Sequence, residues 1–200
     1  GEGERATSLL SMDVDGRVLR FDSLSKLLSS GIRIGFVTGP PQLVQRIDLH
    51  SQATTLHTSG VSQALVLALF NRWEETHATS HAGFIDHVSV VSDFYRERRD
   101  NFLACADKHL SGLAEWTVPT AGMFVWFKIK GVDDTDAMVK EGARELKVLL
   151  VPGTSFMPTP GTKSGYVRAA FSTASIEEMD EALRRFALMI KGALENKNKR

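Results

Sequence analysis

A long helical stripe constrains this chain more than any other feature. From about His81 to Leu110, the residues Phe84, Val88, Val91, Tyr95, Phe102 and Ala106 fall on one face of a helix. The sequence on its two sides has different textures. The pieces before it read as short strand ends, loops and helices. Leu9–Met12 and Val18–Phe21 read as short strands separated by a turn at Asp13-Val14-Asp15-Gly16. A Ser- and Gly-rich loop from Ser23 leads to the apolar run Ile34–Val37, read as a strand, and Pro40-Pro41 starts a helix. Gln63–Trp73 is almost wholly apolar and reads as a buried helix. These pieces are too few to close a parallel sheet on their own.

After Gly112 the texture becomes α+β. Ala114–Val118 and Met123–Ile129 read as strands paired across Pro119–Gly122, Thr135–Lys147 as a helix, and Val148–Val151 and Tyr166–Ser172 as strands. The last helix is the best marked. Ser175 and Glu178 form a capping box, and Ile176, Met179, Leu183, Phe186, Ile190 and Ala193 follow at helical spacing. A boundary is therefore expected inside or beside the long helix, dividing the chain into 1–80, a connecting helix over 81–110, and a compact α/β unit over 111–200. No internal repeat and no low-complexity stretch is present.

Composition narrows the function classes. Lys plus Arg and Asp plus Glu both number 24, so the formal net charge is zero. No overall field draws the chain to nucleic acid or to an anionic membrane. The only basic run, Lys197-Asn198-Lys199-Arg200, reads as a solvated tail. No apolar run approaches the roughly 20 residues needed to span a bilayer. The single Cys105 excludes an internal disulfide and sits in an Ala/Leu-rich helical stretch, as a small buried hydrophobe does. His50 and His57 are conceivable acid/base groups, whereas His77, His81, His87 and His109 lie in surface-like helical contexts. No pair has metal-ligand spacing with a third candidate, so no metal is expected. Asp133-Asp134-x-Asp136 has some of the acidic spacing of a calcium loop without its glycine and terminal glutamate, and reads as a helix start. Trp73, Trp116 and Trp126 read as packing residues. The chain begins Gly1-Glu2-Gly3-Glu4 without Met and is read as a piece of a longer protein.

Chemistry concentrates in Asp22-Ser23-Leu24-Ser25-Lys26-Leu27-Leu28-Ser29-Ser30-Gly31-Ile32-Arg33-Ile34-Gly35. A lysine amine can condense with an aldehyde. Hydroxyls and a guanidinium give charge-assisted hydrogen bonds to phosphate oxygens. Glycines flanking the arginine would let backbone pass close to a ligand. Taken singly, Ser-x-Ser-Lys is usually a surface loop and Gly-x-Arg-x-Gly a turn. Their combination between strand-like segments is what singles out the stretch. A second candidate is Arg168. In a strand over Tyr166–Ser172, Val167, Ala169 and Phe171 point to the apolar side and Arg168 to the other. A guanidinium there suits either a carboxylate ligand or a structural salt bridge to an acidic neighbour.

Ser23-x-Ser25-Lys26 followed by Gly31-x-Arg33-x-Gly35 resembles the cofactor-lysine signature of fold-type I pyridoxal-phosphate-dependent aminotransferases. Gly39-Pro40, Ala121-Gly122-Met123-Phe124-Val125-Trp126, Leu150-Val151-Pro152-Gly153 and Tyr166-Val167-Arg168-Ala169-Ala170-Phe171-Ser172 stand in the family's order and spacing. Leu10–Val18 and Leu113–Trp116 look closest to the kynurenine/α-aminoadipate branch. The resemblance implies an α/β fold, with 1–80 the C-terminal part of the cofactor-binding large domain, 81–110 an interdomain helix and 111–200 the α+β small domain. It implies that Lys26 forms the Schiff base with pyridoxal 5'-phosphate, that Ser23, Ser25 and Arg33 hold the phosphate, and that Arg168 binds the substrate α-carboxylate. It further implies amino-acid and 2-oxo-acid substrates and a homodimer, and leaves the compartment open between cytoplasm and mitochondrial matrix. The family's upstream cofactor contacts (an Asp, an Asn, a Tyr and a stacking aromatic) match no position in this chain. Two alternatives stay open, a non-catalytic fragment and the aminotransferase-like domain of a transcriptional regulator.

Overall fold

A computed structural model describes residues 7–198. The opening Gly1-Glu2-Gly3-Glu4 and the tail residues Lys199 and Arg200 lie outside the described residues. The chain divides into two compact units, Gly1–Val91 and Ser92–Arg200. The division falls inside one uninterrupted helix, α3 (Ser80–Leu110), close to the helix expected from the apolar stripe.

In the first unit, Leu9–Met12 is a 3-10 turn and not the expected strand. Local bonds account for the difference. The Ser8 carbonyl accepts from the Ser11 amide at 3.0 Å and from the Ser11 hydroxyl at 2.6 Å, so the segment closes on itself and needs no ladder partner. The turn at Asp13–Gly16 forms around the Asp13 carboxylate. It accepts the backbone N–H groups of Arg17 at 3.0 Å, Val18 at 2.8 Å and Asp15 at 3.2 Å, and these bonds hold its pKa below the ordinary aspartate value. Strand β1 (Arg20–Ser23), two residues later than expected, pairs antiparallel with β2 (Gly35–Thr38). Helix α1 (Pro41–Thr54) starts with Pro41 in its first turn. Helix α2 (Gly60–Thr76) is capped by Ser59, whose hydroxyl accepts from the Ser62 amide at 3.4 Å.

The expectation that Gln63–Trp73 is buried does not hold. Val61, Leu65 and Leu67 are 73%, 60% and 60% exposed, and Trp73 is the only buried residue of α2. Its one buried side chain, Trp73, stands near its C-terminal end. There Trp73 lies 5.6 Å from Phe70, 6.0 Å from Phe84 and 5.5 Å from His87, ring centre to ring centre. Gly83 allows that approach, because a Cβ on it would stand 2.5 Å from the Trp73 Cβ.

The second unit is a four-stranded antiparallel sheet with helices against it. Strands β3 (Ala114–Trp116), β4 (Phe124–Ile129), β5 (Val151–Pro152) and β6 (Tyr166–Ala170) lie in the order β3-β4-β6-β5. Each is shorter than the apolar run that announced it. The expected alternation holds. Val125, Phe127, Ile129, Val167 and Ala169 are buried, while Phe124, Trp126 and Lys128 stay on the open side. The buried face joins Phe102, Ala106 and Leu110 of α3 with Met179, Leu183, Phe186 and Ile190 of α5 (Ile176–Asn198) in one core. Phe102, Phe171 and Phe186 crowd around it, with Phe127 about 6 Å from both Phe102 and Phe186. Fully burying a side chain of this kind contributes about 1.5–3 kcal/mol.

Helix α4 (Asp136–Glu145) starts where the acidic run was expected to start one, with the Asp134 carboxylate accepting the Asp136 amide at 3.1 Å. The capping box of α5 is formed reciprocally, Ser175 N–H to Glu178 carboxylate at 2.7 Å and Glu178 N–H to Ser175 Oγ at 3.2 Å. Cys105 is buried in this core, and burial pushes its thiol pKa up. His109 is not in the surface-like context expected for it. Its side chain is 14% exposed and bonds Asp180 at 2.8 Å, tying α3 to α5. Hydrogen bonds from Lys108 and His109 lower the Asp180 pKa.

Candidate active site

The motif stretch is the connection between β1 and β2. Only Leu24 is buried in it, and it anchors the loop from the inside. Two 3-10 turns fold the loop, Leu24–Lys26 and Ser30–Ile32. Serines start both. Ser23 Oγ accepts the Ser25 amide at 3.2 Å, and Ser29 Oγ accepts the Gly31 amide at 3.3 Å. The Leu24 amide bonds the Ile34 carbonyl at 3.0 Å and closes the loop's neck, while His87 Nε2 holds the Leu27 carbonyl at 2.7 Å.

Ser23, Ser25, Lys26 and Arg33 thus share one small loop. Arg33 sits in the left-handed region at φ 51°, a conformation that costs a non-glycine residue energy and that clusters at functional sites. From there its guanidinium donates to the Ser30 carbonyl at 3.2 Å and reaches Ser25 Oγ at 3.5 Å. Lys26 is exposed, and among the described residues neither Lys26 nor Arg33 is paired with a carboxylate. Ser23 Oγ uses a lone pair as a cap, which leaves its proton available to donate. The loop therefore carries two hydroxyls, a guanidinium and an amine, and brings the Arg33 guanidinium to Ser25 Oγ at 3.5 Å, a donor pair suited to an anion with several oxygens.

Gly35 has a role inside the strand pair itself. A Cβ there would stand 2.7 Å from the Asp22 carbonyl oxygen of the neighbouring strand, so its smallness serves the β1–β2 pairing. Gly31 is open, with only Ser29 Oγ near its virtual Cβ, at 3.7 Å.

Arg168 lies in the second unit, at the middle of β6, opposite Trp126 of β4 and Val151 of β5. Its side chain points away from the core, as the alternation required. No carboxylate among the described residues pairs with it, so the structural salt bridge is not formed. Two rings meet it instead. The guanidinium carbon is 4.2 Å from the centre of the Phe124 ring and 5.0 Å from that of Phe156. The sequence reading missed these rings. Phe124 was within reach of it, because pairing β4 with β6 puts Phe124, Trp126 and Arg168 on one face. Phe156 closes the 3-10 turn Gly153–Phe156, and no periodicity marks it. No three His, Cys, Asp or Glu side chains among the described residues stand together as a metal site needs.

The model of the family "Aminotransferase class I and II" matches residues 2–186. The chain belongs to the class I and II aminotransferases. Relatives within this family include the bovine kynurenine/alpha-aminoadipate aminotransferase, mitochondrial, 51% identical over 189 residues, covering 94% of this chain and 43% of the bovine one. The mouse protein of the same name is 48% identical, again over 94% of this chain and 43% of its own length. This chain thus spans less than half the length of these relatives. Among solved structures, the alpha-aminoadipate aminotransferase of Thermus thermophilus, complexed with N-(5'-phosphopyridoxyl)-L-leucine, superposes with a TM-score of 0.84 at 28% identity, over 96% of this chain and 47% of that one. The kynurenine aminotransferase of Pyrococcus horikoshii gives 0.82 at 27% identity, over 96% of this chain and 45% of that one. The aminotransferase chain is accordingly an α/β portion of the fold-type I architecture.

Proposed function

We propose that the protein carrying this chain transfers an amino group from an L-amino acid to a 2-oxo acid with pyridoxal 5'-phosphate, and that Lys26 is the residue to which the cofactor attaches. The observation that carries this reading is the exposed amine of Lys26, unpaired among the described residues and one residue from Ser25, whose hydroxyl lies 3.5 Å from the Arg33 guanidinium. The donor set fits the cofactor. Ser23, Ser25 and Arg33 would hold its phosphate by charge-assisted hydrogen bonds, and the amine is of the type that condenses with its aldehyde.

When bound, the cofactor supplies a ring that accepts the electron pair left at the substrate Cα. Two of the chain's own residues would act on the substrate. Arg168 takes the substrate α-carboxylate through the two N–H groups of its fork. Lys26 Nζ would take the proton from the substrate Cα as general base and, as general acid, deliver it to the carbon that was the cofactor's aldehyde, not back to Cα. The names of the bovine and mouse relatives support 2-aminoadipate- and kynurenine-like substrates and a mitochondrial setting. By the same family reasoning we assign the first unit to the cofactor-binding large domain, the second to the small domain, and a homodimer to the whole protein.

The test is direct. Adding pyridoxal 5'-phosphate, reducing with borohydride and mapping the modified peptide should place the cofactor on Lys26. Lys26→Ala should lose the absorbance band of the bound cofactor and all transamination. Attachment at another lysine, or turnover retained in Lys26→Ala, would overturn the assignment.

A further inference from the structure

The surroundings of Arg168 carry a further step, which rests on its role as the carboxylate ligand. An arginine meant for a ligand has two needs that conflict. It must be held in one orientation, and its N–H edge must stay unspent. A neighbouring carboxylate would satisfy the first and defeat the second, because it would occupy the fork and neutralise the charge. Aromatic faces meet both needs. They attract the guanidinium through its flat side and leave its in-plane donors open.

The open face of the second unit's sheet brings two rings to the Arg168 guanidinium. Phe124 comes from β4 and stands diagonally across the strand pair from Arg168. Phe156 comes from the other side, from the turn that follows β5. Phe156 is itself braced. The Trp126 ring meets it edge-to-face, centres 5.2 Å apart at 88°. Trp126 in turn stacks on Tyr166 at 5.5 Å and 12°. No carboxylate and no carbonyl among the described residues accepts a hydrogen bond from the Arg168 guanidinium. We infer that Phe156, braced by Trp126, is a positioning residue that, together with Phe124, fixes the Arg168 guanidinium by its flat side so that its N–H edge faces the incoming substrate carboxylate.

Ring currents make this testable on the 200-residue chain. With arginine labelled by 15N, the Arg168 Nε–Hε signal is identified by its disappearance in Arg168→Lys. It should lie upfield of the other arginine signals, as a proton above ring faces does. Phe156→Leu should return much of that displacement, Trp126→Leu a smaller part, and Phe156→Tyr should keep it. Phe156 is 45% exposed, so its replacement does not open the core, and the wild-type signal alone already discriminates. Titration with benzoate, read on the same signal, should show affinity weakened about 2- to 5-fold in Phe156→Leu. An Arg168 signal in the ordinary arginine range, one unmoved by Phe156→Leu, or failure of Phe156→Tyr to rescue it would overturn the inference. An upfield signal that ignores benzoate would instead sink the carboxylate role proposed for Arg168 while supporting the ring-held orientation.

Discussion

The two units use apolar residues at similar spacing and to opposite effect. In the second, the stripe of α5 meets a sheet face and the last turns of α3, and Phe127, Phe171, Phe186 and Ile190 lose all contact with water. In the first, α2 carries a run at least as apolar, yet among the described residues only Leu24 and Trp73 are buried hydrophobic side chains. Periodicity and capping decide whether a helix forms. Whether it is buried depends on a second surface of matching shape, and α2 meets one only around Trp73. Stability is therefore expected to be concentrated in the second unit, and the chemistry-bearing loop stands in the less buried one.

The largest effect that would sharpen this contrast is Phe127→Ala. Removing a fully buried ring from the centre of the second unit's core should cost about 3–5 kcal/mol. Urea unfolding followed by tryptophan emission would measure it, since Trp116 packs edge-on to Phe127 at 5.3 Å. Amide exchange should accelerate across β3, β4 and β6. A loss below about 1 kcal/mol would mean that the second unit is not packed as described.

Gly83→Ala should act next, in the first unit. The new methyl would meet the Trp73 side chain at 2.5 Å, near its stem, where no rotamer relieves it. Overpacking of this kind costs about 1–3 kcal/mol, and it opposes the roughly 1 kcal/mol that alanine gains over glycine in a helix. Exchange should speed up in α2 and the first turns of α3. A stabilised variant would show that the α2–α3 approach around Trp73 is looser than the structure has it.

Where the sequence was legible and where it was not follows a different division, between local and non-local signals. Elements whose signal is local were read well. The Ser175–Glu178 box, Pro41 in a first turn, the alternation in β4 and β6 and the stripe of α3 each depend on residues a few positions apart. Leu9–Met12 was misread because a four-residue apolar run does not say whether a ladder partner exists. Its bonds closed locally through Ser8 and Ser11. The candidate loop was found through residue types. Its geometry was not found, because Ser23 and Ser29 capping successive turns and Arg33 adopting φ 51° follow from how the loop closes over Leu24. Phe156 was invisible for a further reason. Its meeting with Arg168 depends on the β5–β6 pairing, which brings together residues twelve positions apart that share no periodic signal.

The smallest expected effect bears most directly on the contrast. Leu65 is 60% exposed on α2, so Leu65→Ala removes little packed surface and introduces the best helix former. Its unfolding free energy should stay within about 0.5 kcal/mol of the parent chain. The same substitution at a packed site costs about 2–5 kcal/mol, so the two outcomes are well separated. A loss in that higher range would mean that Leu65 is covered in solution. Repeating the measurement at several protein concentrations would then identify the cover. A loss that grows with concentration points to a second copy seated on α2, because only an intermolecular contact adds stability by mass action. A loss independent of concentration would place the covering surface within the chain itself and would break the division between a packed and an unpacked unit.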